Sequence, residues 1–301
     1  MIITLDDTSS AQISASLLRA RRSAGSPAQG MVLTLIVVCD ESEFDDAREA
    51  SMAAGREHPC RILLVVSSRG RQAGLDAEVH IGEGTPAEVV VIRMRGAVAS
   101  HPASVVRPLL LPDSPVVIWW PGKAPTDQAA DELATLALRR LTDAAAAPRP
   151  MTALKARAKD YSPGDTDLSW TRLTPWRALL AAALDQYPAT ITSAQVEAEK
   201  NNPSADLLAT WLGAHLKVEV KRSLSTGPGI TAVRMNTNSG EIAITRPDAL
   251  LASYVVPGQP ERRVALKRRD TTELITEELR RMDADVAYER TLRALVDGET
   301  R

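Results

Sequence analysis

The chain has 301 residues, 44% of them apolar and only 3% aromatic, with 25% charged and a formal net charge of −2. That length allows two ordinary domains. A core this poor in rings is built from Leu, Val, Ile and Ala, and near-neutrality argues against an extended phosphate backbone as partner. Arg19, Arg21 and Arg22 lie near the start without an apolar stretch beside them, and the run "MVLTLIVVC" is about half of what a bilayer requires. The expectation is a cytoplasmic protein with no membrane span.

After an N-terminal arm and the turn-rich "SAGSPAQG", residues 32–39 form an unbroken β-branched run, suited to a strand buried on both faces. Ser42 is placed to cap a helix over 43–57, whose first turns are acidic. Strands "RILLVVSS", "AEVHIG" and "EVVVIRMRG" follow, the last two close enough to be antiparallel. Then come a helix near "PASVVRPLLL", a strand "SPVVIWWPG" and a helix over 127–138. This alternation predicts an α/β domain over 1–145, with a mostly parallel, Rossmann-like or flavodoxin-like sheet.

A helical connector is expected over 146–188. It contains "MTALKARAK" and the block "GDTDLSWTRLTPWRALLAAALDQ", in which Thr174 caps a helix and Pro175 takes its first position. Trp176, Leu179, Leu180, Ala183 and Leu184 share one face of that helix. Residues 189–301 read as an α+β domain. An extended segment over 190–199 precedes a helix begun by Asn202-Pro203, with Leu207, Leu208, Trp211, Leu212 and Leu216 as its apolar stripe. Five short strands in antiparallel hairpins then lead to one last helix from Thr271 to about Val296, opened by Asp270 and Glu273.

Little in this pattern spells out chemistry. "GEGTPA" at 82–87 matches a dinucleotide fingerprint in letters, but Pro86 leads into a strand where the phosphate site needs a helix start. "PGKAP" lacks the other residues of a P-loop. His58, His80, His101 and His215 sit in unrelated elements, and His58-Pro59-Cys60 has no second ligand pair at zinc spacing. No cofactor, metal or catalytic set is assigned. Cys39 and Cys60 fall at opposite ends of two parallel strands, roughly 20 Å apart at ~3.3 Å per residue, too far for a disulfide. Arg262, Arg263, Lys267, Arg268 and Arg269 form a basic cluster without stacking aromatics, which fits a solvated face or an acidic protein partner rather than nucleic acid.

The residues left over suit an interface. Trp170 and Arg172 lie two apart in what reads as extended chain before the helix, so both point to one side, a hot-spot composition. The alternative is a loop Trp plugging a gap between domains. Asp165 and Asp167 could form a paired acid site, or serve as caps or ion partners for Arg172 and Arg177. Trp119 and Trp120 end the fifth strand, one ring on each face, where α/β sheets also bind ligands. These seven residues are the partner-binding candidates.

In order, "REHPCRILLVV", "SPVVIWWPG", "RRLTDAA", the 164–186 block, "PSADLLATWL" and "GPGITAVR" resemble the OpcA family of glucose-6-phosphate dehydrogenase assembly proteins, in its actinobacterial form. The likeness runs from about Val32 to about Met282. It implies a non-catalytic protein that binds glucose-6-phosphate dehydrogenase, promotes its active oligomer and raises its activity. Entry into the oxidative pentose phosphate pathway, and with it NADPH supply, would then be its point of control. Some cyanobacterial relatives are associated with thioredoxin-dependent control, which the placement of Cys39 and Cys60 does not support. The competing reading is a nucleotide or sugar-phosphate sensor, or an enzyme, using the strand ends near Asp40, Ser67 and Trp120.

Overall fold

A computed structural model describes residues 1–24, 30–68, 70, 72–82 and 87–299. The chain forms two compact units. The first holds Met1–Asp143, Ser162–Thr166 and Thr271–Ala284, and the second holds Ala144–Tyr161, Asp167–Asp270 and Asp285–Arg301. The expected boundaries at 145 and 188 therefore differ from these, and most of 146–188 lies within the second unit. The turns expected at "SAGSPAQG" and "GEGTPA" fall largely outside the described residues.

The first unit begins with strand β1 (Ile2–Leu5) and helix α1 (Ser10–Ala24), where the sequence suggested only an arm. Then follow β2 (Leu33–Asp40), α2 (Phe44–Glu57), β3 (Cys60–Ser67), β4 (Gly74–Ile81), β5 (Glu88–Arg95), α3 (Pro102–Val106), β6 (Val116–Trp119) and β7 (Arg139–Thr142). The eight-stranded sheet has the order β1-β4-β5-β3-β2-β6-β7-β8, its edge strand β8 being Asp165–Asp167. Strands β5, β3, β2, β6 and β7 run parallel, while β4 is antiparallel to both β5 and β1. The β-branched runs of β2, β3 and β5 fill the interior on both faces, as a doubly covered parallel sheet demands. Helix α2 comes close to β3 through small residues. A Cβ on Gly55 would meet Ala87 Cβ at 3.0 Å, so the position tolerates no larger side chain without a shift.

Three local expectations fail here for identifiable reasons. Glu43, not Ser42, stands at the N-cap of α2, with its carboxylate accepting the Asp40 N–H at 3.1 Å. Residues 127–138 form turns with a single 3-10 stretch at Ala134–Leu136. The Asp127 and Asp131 carboxylates take the Ala130, Leu133 and Ala134 N–H groups, in competition with a continuous helix. Strand β7 went unrecognised because its arginines, Arg139 and Arg140, look solvent-seeking, yet both are buried.

The second unit contains α4 (Pro150–Lys159), α5 (Leu168–Thr171), α6 (Thr174–Gln186), β9 (Ile191–Ala198), α7 (Pro203–Leu216) and strands β10 (Val220–Leu224), β11 (Ile230–Thr237), β12 (Gly240–Thr245), β13 (Leu251–Val255) and β14 (Arg262–Ala265). The six strands are ordered β10-β9-β11-β12-β13-β14. All neighbours are antiparallel except β9 and β10, which α7 joins as a parallel crossover, correcting the all-hairpin expectation. Leu207, Leu208 and Leu212 of α7 enter a core with Trp176, Leu180 and Ala183 of α6, as their spacing foretold. The expected final helix is two: α8 (Thr271–Glu278), in the first unit, and α9 (Val286–Glu299), in the second. The carbonyls of Arg281 and Asp283, which a continuing helix would use, accept instead from Arg139 Nη1 at 3.0 and 2.6 Å. Asp285 then caps α9 by accepting the Tyr288 N–H at 2.9 Å. No helix of the described residues is long and apolar enough to cross a membrane.

Candidate functional site

The 164–186 block is a charge-pairing segment. In the first unit, Gly164 adopts φ +98°, and a Cβ there would lie 2.5 Å from the Leu138 carbonyl, so only glycine lets β8 close against β7. Asp165 pairs with Arg140 and also accepts the Ser162 N–H at 2.8 Å. Burial pushes the Asp165 carboxyl above its usual range, against the opposing pull of Ser162 and Arg140. Arg139, 2% exposed, donates to Thr166 Oγ1 and Glu278 Oε2, both at 2.6 Å.

In the second unit, Asp167 is fully buried. Its carboxylate pairs with Arg157 and accepts N–H bonds from Ala144 and Ser169 at 2.9–3.0 Å, so it caps α5 and ties α4 to the backbone at Ala144 and Ser169. An ion pair and two backbone donors on one carboxylate satisfy its lone pairs. Trp170 sits on α5 rather than on extended chain. Its indole N–H donates to Asp285 at 2.8 Å, its ring lies 5.7 Å from Tyr288, and the Arg177 guanidinium stacks 3.8 Å above it. It is thus a core residue of the second unit.

Of the seven interface candidates, Trp119, Trp120, Asp165, Asp167 and Trp170 are buried, and Arg172 and Arg177 are half-buried. Asp165 and Asp167 do not form one acid site: each serves a different arginine. The partners expected for them were Arg172 and Arg177, but the structure provides Arg140 and Arg157. Trp119 keeps its indole N–H unpartnered in the interior. Cys39 and Cys60 are buried and free. Their strands pair Leu33 with Cys60 and Cys39 with Val66, so the thiols are at opposite ends as expected. Burial raises both to about 12, with Glu43, Asp40 and Glu41 adding to the effect at Cys39. Neither is a thiolate near neutrality. No group of three or more potential metal ligands is assembled among the described residues.

Each unit has a concavity of its own. At the carboxyl ends of β2, β3 and β6, where the strand order reverses, a crevice of about 340 Å³ is lined by Cys39, Asp40, Glu43, Ser67, Trp120, Lys123 and Asp131, among others. This is where an α/β sheet characteristically holds a ligand. Its charge is wrong for a pyrophosphate. Three carboxylates face one lysine, Asp45 and Asp46 occupy the first turn of α2, and the Glu43 carboxylate presses on Gly122 where a Cβ would stand. In the second unit, a cavity of about 150 Å³ lies between the start of α7, the start of β11 and the segment after β14. Arg172, Arg246, Lys267, Arg268 and Arg269 line it, with Glu199 the single carboxylate. The basic cluster at 267–269 was visible in the sequence; Arg246 and Arg172 join it only through folding.

These features define a class: a two-unit protein, α/β and α+β, whose interior acids and most of whose interior arginines are committed to holding strands and helix ends together. Two family models resolve it further. The model for the N-terminal domain of the glucose-6-phosphate dehydrogenase subunit matches residues 51–159, and the model for its C-terminal domain matches residues 163–292. The chain belongs to the OpcA family of glucose-6-phosphate dehydrogenase assembly proteins. A search of curated proteins finds no match. Among solved structures, the chain is similar to an oxidoreductase from Sinorhizobium meliloti, at 11% identity and TM-score 0.44, covering 90% of this chain and 88% of that one. It is also similar to D-galactose-1-dehydrogenase from Rhizobium etli, at 14% identity and TM-score 0.41, covering 88% and 94%.

Proposed function

We propose that this protein works by binding glucose-6-phosphate dehydrogenase, favouring its active oligomer and raising its activity without turning over a substrate of its own. In that role it sets the flow of carbon into the oxidative pentose phosphate pathway, and so NADPH supply, from the cytoplasm. The observation that carries this reading is that family models for both domains of the dehydrogenase assembly protein match the chain, together spanning 51–292. Asp165 and Asp167 of the 164–186 block support it, since each is held in an ion pair with backbone donors around it, an arrangement for rigidity rather than proton transfer. A preference for the competent state of roughly 1–3 kcal/mol, the usual size of an allosteric coupling, shifts such an equilibrium about 5- to 150-fold.

Arg172, half-buried at the cavity edge, is the contact candidate we retain; Trp119, Trp120, Asp165, Asp167, Trp170 and Arg177 act as the frame behind it. The test is to co-purify the chain with the dehydrogenase of the same cell and to titrate dehydrogenase activity against it. Saturable activation is expected, weakened by Arg172→Ala. Steady conversion of a metabolite by the purified chain alone overturns the reading.

The crevice at the strand ends of the first unit favours a second reading, a nucleotide sensor. Its three carboxylates oppose phosphate binding. A thermal-shift screen with NADP, NAD and ATP decides it: a specific stabilisation that Lys123→Glu abolishes would restore the sensor.

A further inference from the structure

Five arginines of the described chain are buried. Four of them have a carboxylate: Arg61 pairs with Glu88, Arg139 with Glu278, Arg140 with Asp165 and Arg157 with Asp167. Arg246 is the exception. It is 5% exposed, and its two Nη atoms donate to neutral acceptors, the carbonyls of Leu266 and Ile230, each at 2.9 Å. Its Nε is buried without a partner. The Trp176 ring lies 5.1 Å from the guanidinium carbon. A cation taken out of water without a carboxylate bonded to it is costly, and the other four positions show how this fold normally meets that cost. Burial, then the charge of Arg268, pull the Arg246 pKa down, with Asp248 pulling the other way from a distance.

Arg246 opens onto the 150 Å³ cavity, whose lining also holds Arg172, Lys267, Arg268 and Arg269, with Glu199 as its one carboxylate. The first residues of α7, Asn202 to Ser204, form another wall, so the positive end of a 14-residue helix faces the same space. Two of the cations are held in advance. Arg246 is clamped by two carbonyls, and Arg269 donates to the Thr171 carbonyl. We propose that this cavity binds a small phosphomonoester, its dianionic phosphate seated on Arg246 and ringed by Lys267, Arg268 and Arg269. Planar guanidinium forks match phosphate oxygens in pairs, and several cations suit a dianion better than a carboxylate. The volume admits a phosphate with a few carbons, and is too small for a folded segment of a partner protein. The proposal is independent of the assembly role above.

The experiment is isothermal titration of the full chain alone, at low ionic strength, with inorganic phosphate, glycerol 3-phosphate and a hexose 6-phosphate. Glycerol, the free hexose and sulfate serve as controls. Saturable one-to-one binding of a phosphomonoester is expected, with none for the unphosphorylated compounds. The double variant Lys267→Gln/Arg268→Gln, at two exposed positions, should weaken it at least tenfold with an unchanged melting temperature. Arg246→Gln should abolish it, and circular dichroism reports whether that variant keeps its fold. The proposal is overturned if no phosphate compound binds, if the double variant binds as the parent does, or if sulfate binds equally well. It is equally overturned if phosphomonoesters fail while the double variant no longer captures the dehydrogenase, which would make the cavity a dock for an acidic protein segment. Because the titration contains no dehydrogenase, its failure leaves the assembly role standing.

Discussion

The two units place concavities of opposite charge on different frameworks. In the first, a parallel sheet reverses its strand order and opens a crevice at the position where such sheets characteristically hold nucleotides, yet Asp40, Glu43 and Asp131 face it with only Lys123 in reply. In the second, a mainly antiparallel sheet, with no such tradition, gathers five cations around a smaller cavity. Backbone topology decides where a hollow forms; the side chains at its rim decide what can enter. The same contrast runs through the interior. Glu88 answers both Arg21 and Arg61 in the first unit, whereas Arg246 in the second is met only by carbonyls.

The strongest way to break this comparison is to remove the acid from a compensated arginine. Asp167→Ala strands Arg157 in the interior and leaves the Ala144 and Ser169 N–H groups unsatisfied. A loss of about 3–5 kcal/mol is expected from urea unfolding, the usual cost of breaking a buried pair on one side. A loss under about 1 kcal/mol would mean that the pairing carries little of the fold.

Next come two tryptophans in different surroundings. Trp170→Phe forfeits the bond to the Asp285 carboxylate and should cost about 1.5–3 kcal/mol. Trp119→Phe gives up ring volume but also an unpartnered buried N–H, and should cost about 1 kcal/mol or less. Equal costs for the two would refute the distinction.

Arg280, in the turn after α8, and Glu57, at the end of α2, both in the first unit, pair at 2.8 Å while more than half exposed. Arg280→Ala should shift stability by no more than ~0.5–1 kcal/mol, and less in salt. The smallest effect concerns the thiols. Because burial raises Cys39 and Cys60 to about 12, the reactive thiolate is scarce at any pH below that. Iodoacetamide at pH 8 should leave both unmodified in the native protein and label both in urea, where the thiol returns to about 8.5. Rapid native labelling would reopen a redox role.

Much of the architecture was readable in the order of residues. The β-branched runs located β2, β3 and β5, and the helical stripes of α6 and α7 named their buried faces, because periodicity reports directly which side of an element meets water. Side-chain competition was harder to see. Asp127 and Asp131 dissolved an expected helix by taking its N–H groups, and Arg139 drew off the carbonyls that would have joined α8 to α9. Trp170 was singled out as an interface candidate on extended chain, and the structure sets it on a helix inside the second unit. Nothing local says that Asp285, Tyr288 and Arg177 surround it.

By itself, then, the sequence determined most of the elements, the parallel character of the first sheet, the separation of the two cysteines and the family. Those rest on local periodicity and on words of consecutive residues. Only the tertiary structure decided which charges meet: Arg140 with Asp165, Arg157 with Asp167, and Arg246 with two carbonyls in place of a bonded acid. Such pairings join positions 10 to 25 residues apart or more, and their strength depends on burial, which no stretch of residues possesses until the chain has closed around it.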